Sequence, residues 1–205
     1  MSEMVHNPKR SKMTDLTTES FLILRSSFFG KGAKPKSYRL RDKRNTQDDP
    51  LDEYIHKLLS DQLPADVDCL KAPGPLITPD LAVLRPEVCK MASRVTLTTN
   101  LTHVVAIEVK KLERTQSGTI ARHSGMDYNT TPPCGTVRVY DSSGAALDIR
   151  GFYLFVCQET IRGQSGKYQL SASVLCDGNL LNEDFNYLLV DCWRKSQRNW
   201  AWNLW

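Results

Sequence analysis

Two rhythms of apolar residues divide this chain, a helical one up to Leu63 and a strand-like one beyond it. In the first stretch, Leu16, Phe21, Leu22 and Leu24 form the apolar side of a helix predicted over Asp15 to Arg25. Thr14 is its candidate cap, and Phe28-Phe29-Gly30 closes it. A second helix is marked more fully. Leu51, Ile55, Leu58, Leu59 and Leu63 repeat at helical spacing, Asp49 can cap it, Pro50 suits its first turn and Pro64 ends it. From Ala65 the pattern changes to short β-branched runs bounded by proline, glycine and polar residues. Strands are predicted at Ala65–Leu70, Leu76–Leu84, His103–Lys110, Gly135–Tyr140, Gly151–Gln158 and Lys167–Leu175. Ala72 to Pro75, Asp141 to Gly144 and Arg162 to Gly166 supply turns, and Arg85 to Thr102 reads as an excursion between strands. The combination predicts an α/β fold. We expect a single layered domain over residues 1–205 with a mixed central sheet flanked by helices.

Three charged residues interrupt the strand pattern. Asp80 lies in the run Leu76–Leu84, while Glu108 and Lys110 lie at the end of the run His103–Lys110. Successive strand side chains alternate faces, so Glu108 and Lys110 share one face and Val109 points away. Buried charge without a partner is expensive. A divalent metal and a phosphate would supply the partner. Mg²⁺ prefers oxygen ligands and is commonly held by one or two carboxylates, with waters and phosphate oxygens completing its shell. Bound there, it would polarise a phosphodiester and make hydroxide available near neutral pH. Lys110 could then position or deprotonate the attacking water, or balance charge in the transition state.

Pro79-Asp80 followed by Glu108-Val109-Lys110 resembles the signature of the PD-(D/E)XK nuclease superfamily, and within it a type II restriction endonuclease. The resemblance covers residues 50–115, where a helix precedes the two strands. It implies a restriction-endonuclease-like sheet and Mg²⁺-dependent cleavage of double-stranded DNA at a specific short site. Asp80, Glu108 and Lys110 would be catalytic, with Asp80, Glu108 and the Val109 carbonyl holding the metal. It also implies a homodimer on a palindromic site and a cognate DNA methyltransferase in the same system. Family members often add an acid from the preceding helix. Asp52 and Glu53 are candidates, although acids in a first turn are expected from the helix dipole alone, which is the reading we prefer. Alternatives are a repair or recombination nuclease of the same superfamily, or a nucleic-acid-binding module without catalysis.

Composition changes this picture little. At 205 residues, 40% hydrophobic and 24% charged, the chain has globular values. No apolar run approaches the roughly 18 residues that span a bilayer, and Met1 to Thr18 lacks a signal-peptide core, so a cytoplasmic location is expected. Cys69, Cys89, Cys134, Cys157, Cys176 and Cys192 show no zinc spacing. Cys157 and Cys176 read as small buried hydrophobes.

Charge is distributed unevenly. Residues 1–44 hold 11 Lys/Arg against 4 Asp/Glu, whereas the remainder is net acidic. Residues 1–13 are predicted disordered or flexible, and residues 30–48 form a basic loop. Within it Lys34, Lys36 and Arg39 can neutralise DNA phosphates, or simply solvate a connector. Arg122 to Gly135 is a polar, proline-stiffened loop, and Arg122, Asn129 and Arg138 are candidate DNA contacts. The same Asp127 and Asn129 also suit plain turns, and His123 reads as a structural hydrogen-bonder. All four tryptophans, Trp193, Trp200, Trp202 and Trp205, fall in the last thirteen residues. A terminal helix packing its indoles is the preferred reading, with a subunit interface or DNA stacking as others.

Overall fold

Both helical rhythms become helices in the computed structural model, which describes residues 14–45, 49–73, 78–91, 95–114, 120–123, 134–140 and 143–181. Helix α1 spans Leu16–Phe28 and α2 spans Pro50–Gln62. The cap of α1 is Asp15, one residue later than expected, because its carboxylate accepts from the backbone N–H groups of Thr17 and Thr18 (2.7 and 3.3 Å). At α2, Asp49 Oδ1 accepts from the Leu51 N–H (3.0 Å) and Pro50 opens the first turn. Leu51, Ile55 and Leu59 are fully buried.

Nine strands follow among the described residues: β1 (Ser37–Arg39), β2 (Asp68–Lys71), β3 (Leu81–Leu84), β4 (Val95–Leu97), β5 (Val104–Arg114), β6 (Ile120–His123), β7 (Thr136–Tyr140), β8 (Ala146–Thr160) and β9 (Lys167–Asp177). The main path of the sheet runs β1-β9-β8-β5-β3-β2. β5 and β8 are parallel, and the other neighbours on this path are antiparallel. The fold is therefore mixed α/β, with a curled mixed sheet and helices against it. Strand β8 makes the curl. Its first residues pair with β7 and β4, and from Gly151 onward it pairs with β5 and β9. A Cβ at Gly151 would lie 2.5 Å from the Cys134 carbonyl oxygen, so only glycine fits where the strand changes partners.

Alternation along β5 sorts two cores. Val105, Ile107 and Val109 join Leu81, Val83, Leu154 and Val156 in packing against α1 and α2. Val104 and Ala106 face the other way, into a smaller cluster with Leu84, Val88, Leu97, Val137, Leu147 and Ile149. Arg85, nearly buried, ties this end together through Asp66 and the Thr102 carbonyl.

Several boundaries differ from expectation. The basic loop is partly ordered, with a 3-10 turn (Lys31–Ala33) and strand β1. Its anchor is Tyr38, buried among Phe28, Tyr54 and Tyr168, whose hydroxyl donates to Gln158 Oε1 (3.3 Å). The excursion after Arg85 contains a short helix α3 (Val88–Met91) and β4. Gly144, Gly163 and Gly166 take positive φ at the predicted turns. Cys157 is buried as expected, Cys176 only half-buried, and Cys69, Cys134, Cys157 and Cys176 form no disulfide. Among the described residues no helix is long and apolar enough to cross a membrane. The predicted disordered start, the core of the polar loop and the tryptophan segment lie outside the described residues.

Candidate active site

One edge of β5 is covered in two instalments. β3 pairs with Val104 to Ile107, and β6 pairs with Leu112 to Arg114. Glu108, Val109, Lys110 and Lys111 lie in the gap between them. Asp80, which precedes β3 rather than belonging to it, turns its side chain into that gap. Its Oδ2 accepts from the Val109 N–H at 2.7 Å, replacing the ladder bond that a longer β3 would have made. Its own backbone N–H donates to Glu108 Oε2 (3.3 Å), and its carbonyl accepts from the Ala72 N–H (2.9 Å). In an antiparallel pair the N–H and C=O of one residue face the same neighbour. The Val109 carbonyl therefore opens onto the gap beside Asp80. Asp80 thus contacts both Glu108 and the Val109 N–H, with the Val109 carbonyl on the same edge of β5.

Lys110 completes this face. Its Nζ donates to Glu108 Oε1 at 3.0 Å, and both side chains are partly screened from solvent. The parallel register sets Tyr153 beside Glu108 and Phe155 beside Lys110. Tyr153 is held in place by the Cys134 N–H, which donates to its hydroxyl at 2.8 Å.

The two acids of the first turn of α2 part company. Glu53 is exposed and pairs with Arg41, whose hydrogen bond holds its carboxyl below the usual range. The dipole reading suffices for it. Asp52 is half-buried. Burial pushes its carboxyl up to about 8, and the charge that adds most to this is Asp80, followed by Asp49. The dipole alone does not account for an acid so placed. Asp80 is itself raised to about 6, first by burial and then by Glu108, with the Val109 N–H and Lys110 opposing. Acids held up in this way are short of positive charge, which a cation would provide. A signal for Asp52 does exist in sequence: it lies three residues before Ile55 and seven before Leu59, along the buried stripe.

Among the described residues no three acid, histidine or cysteine side chains converge into a ready-made metal cage. Two carboxylates and a carbonyl still suit Mg²⁺, which usually relies on few protein ligands and completes its shell with water and substrate phosphate. The residues fit the ion.

The candidate DNA contacts are not gathered with these groups. Lys34 and Lys36 precede β1 and Arg39 ends it, three strand spacings from β5, or about 14 Å across the sheet. Lys36 Nζ donates to the Ser26 carbonyl (2.7 Å). Arg138 is exposed, but its guanidinium makes a two-point pair with Asp148 across β7 and β8 (2.7 and 2.9 Å). Arg122 and His123 lie on β6 rather than in a loop, opposite Glu113 and Leu112. Asn129 lies outside the described residues.

No family model, curated protein or solved structure matches this chain.

Proposed function

We propose that the chain is a Mg²⁺-dependent endonuclease of the PD-(D/E)XK type, cutting double-stranded DNA at a specific short site as a restriction enzyme does. The observation that carries this reading is the contact of Asp80 with both Glu108 and the Val109 N–H in the β5 gap, with Lys110 Nζ 3.0 Å from Glu108. An ordinary surface Glu–Lys pair would not draw a carboxylate from the neighbouring strand onto the intervening backbone N–H. The curled mixed sheet with α2 packed beside the motif is compatible with a restriction-endonuclease-like fold.

Asp80 and Glu108 would hold the Mg²⁺, with Val109 giving a neutral oxygen and Asp52 a further negative charge behind Asp80. Bound there, the ion supplies Lewis acidity toward the phosphodiester and lowers the pKa of a water. The Val109 N–H fixes the Asp80 carboxylate in one orientation, so that ligand is preorganised. Glu108 fixes the Lys110 ammonium on the same strand face, where a phosphate approaching the gap would meet it. Lys34 and Arg39 would give sequence-independent phosphate contacts away from the gap. A palindromic target would call for a two-fold dimer.

The test is digestion of mixed-sequence plasmid DNA with the purified chain in Mg²⁺ and in EDTA. Discrete fragments in Mg²⁺ alone are expected. A smear in Mg²⁺ removes site specificity, and binding without cutting favours the non-catalytic alternative.

A further inference from the structure

Lys111 is a buried charge that the reading above does not use. It follows Lys110 directly, so strand alternation turns it to the opposite face of β5, toward α2. Only 4% of its side chain is exposed. Its Nζ sits 2.6 Å from Asp49 Oδ2 and 2.8 Å from Glu113 Oε1. Asp49 thereby does two jobs, because its other oxygen accepts from the Leu51 N–H at the start of α2. A helix cap needs no lysine, and a buried lysine is costly to keep. The pairing instead fastens the first turn of α2, and with it Asp52, to the strand that carries the site.

We infer that Lys111 is a positioning residue, which sets Asp52 against Asp80 by locking the first turn of α2 onto β5. The inference rests on the metal-site reading given under Proposed function. Its distinctive consequence is one of sign. By Coulomb's law alone, deleting a cation near a carboxylate site tightens divalent-ion binding. Loss of positioning weakens it, and outer groups that orient metal ligands typically contribute about 10–100-fold in affinity.

The experiment measures Mn²⁺ affinity by calorimetry, with thermal melts to establish folding. It compares the wild type, Lys111→Met, and the pair Lys111→Met/Glu113→Gln. The pair removes one positive and one negative charge together, so net charge is unchanged, Asp49 still caps α2, and Glu113 is not left unpaired. Both variants are expected to bind Mn²⁺ about 10-fold more weakly. Adding Asp52→Asn to either should cause no further loss, since Lys111 acts through Asp52. Wild-type or tighter affinity in a folded variant overturns the inference while leaving the metal site standing. Additive loss with Asp52→Asn overturns it too. Failure of both variants to fold would make Lys111 a fold determinant and reject the positioning role. A wild type that takes no Mn²⁺ sinks the metal reading, and this inference with it.

Discussion

Without a cation, Asp80 and Asp52 keep their protons well above the ordinary aspartate range, at about 6 and about 8. The folded protein therefore binds more protons than the unfolded chain in this interval, and stability falls as pH rises. The loss should begin near the ordinary aspartate value, about 4, and continue through the two raised values. In EDTA the melting temperature is accordingly expected to drop as pH climbs toward 8, and Mg²⁺ should restore it. Asp52→Asn, which cannot titrate, should remove the upper part of that drop. A melting temperature that rises over the same interval in EDTA would contradict the electrostatics of the site. The lowered carboxyls of Glu53 and Asp148 act in the opposite sense, but both are paired at the surface and weigh little. For Lys110→Met, single-turnover cleavage should slow about 10²–10³-fold, the usual effect of removing one transition-state donor. Mn²⁺ affinity should tighten rather than fall, because the ammonium beside Glu108 is lost, and a calorimetric titration of the same variant checks that split.

Among elements, legibility followed the length of the pattern. α2 was readable because its buried stripe, cap and stop agree, and Ile55→Ala should cost about 2–5 kcal/mol in a denaturant titration. β1, β4 and β6 were not readable. Each is three or four residues long and owes its existence to a longer strand alongside. β1 is held by one buried tyrosine among exposed neighbours, a pattern too short to register as alternation. The site was half legible. The Asp80, Glu108 and Lys110 set stood out as charges in apolar runs, whereas Asp49 and Asp52 looked like helix-start acids and Lys111 carried no mark of its own. Sorting them needed the packing of α2 on β5. Pairing within the sheet redistributes the expected DNA contacts. Lys34→Gln/Arg39→Gln should weaken cognate and scrambled duplexes equally and reduce the salt slope by about 2. Arg138→Ala should leave discrimination nearly unchanged, because Asp148 already occupies its guanidinium, and a competition assay between the two duplexes reads both outcomes.

For the molecule as a whole, the proposed function rests on an interruption in a sheet. β5 and β8 run side by side through the centre, and the outer edge of β5 is served by β3 at one end and β6 at the other. A continuous partner would have used the Val109 N–H in the ladder and left Asp80 no place on the backbone. The gap brings together groups from the approach to β3 and from β5, which are far apart in sequence but held by one core. Cleavage of supercoiled plasmid in Mg²⁺ by the wild type and by Asp80→Ala and Glu108→Ala, at matched protein concentration and with matched melting curves, tests this most directly. The wild type should nick and linearise the DNA, and both variants should leave it supercoiled while still binding it. Cleavage by either variant at the wild-type rate, or none by the wild type, would contradict the assignment of the β5 gap as a nuclease centre.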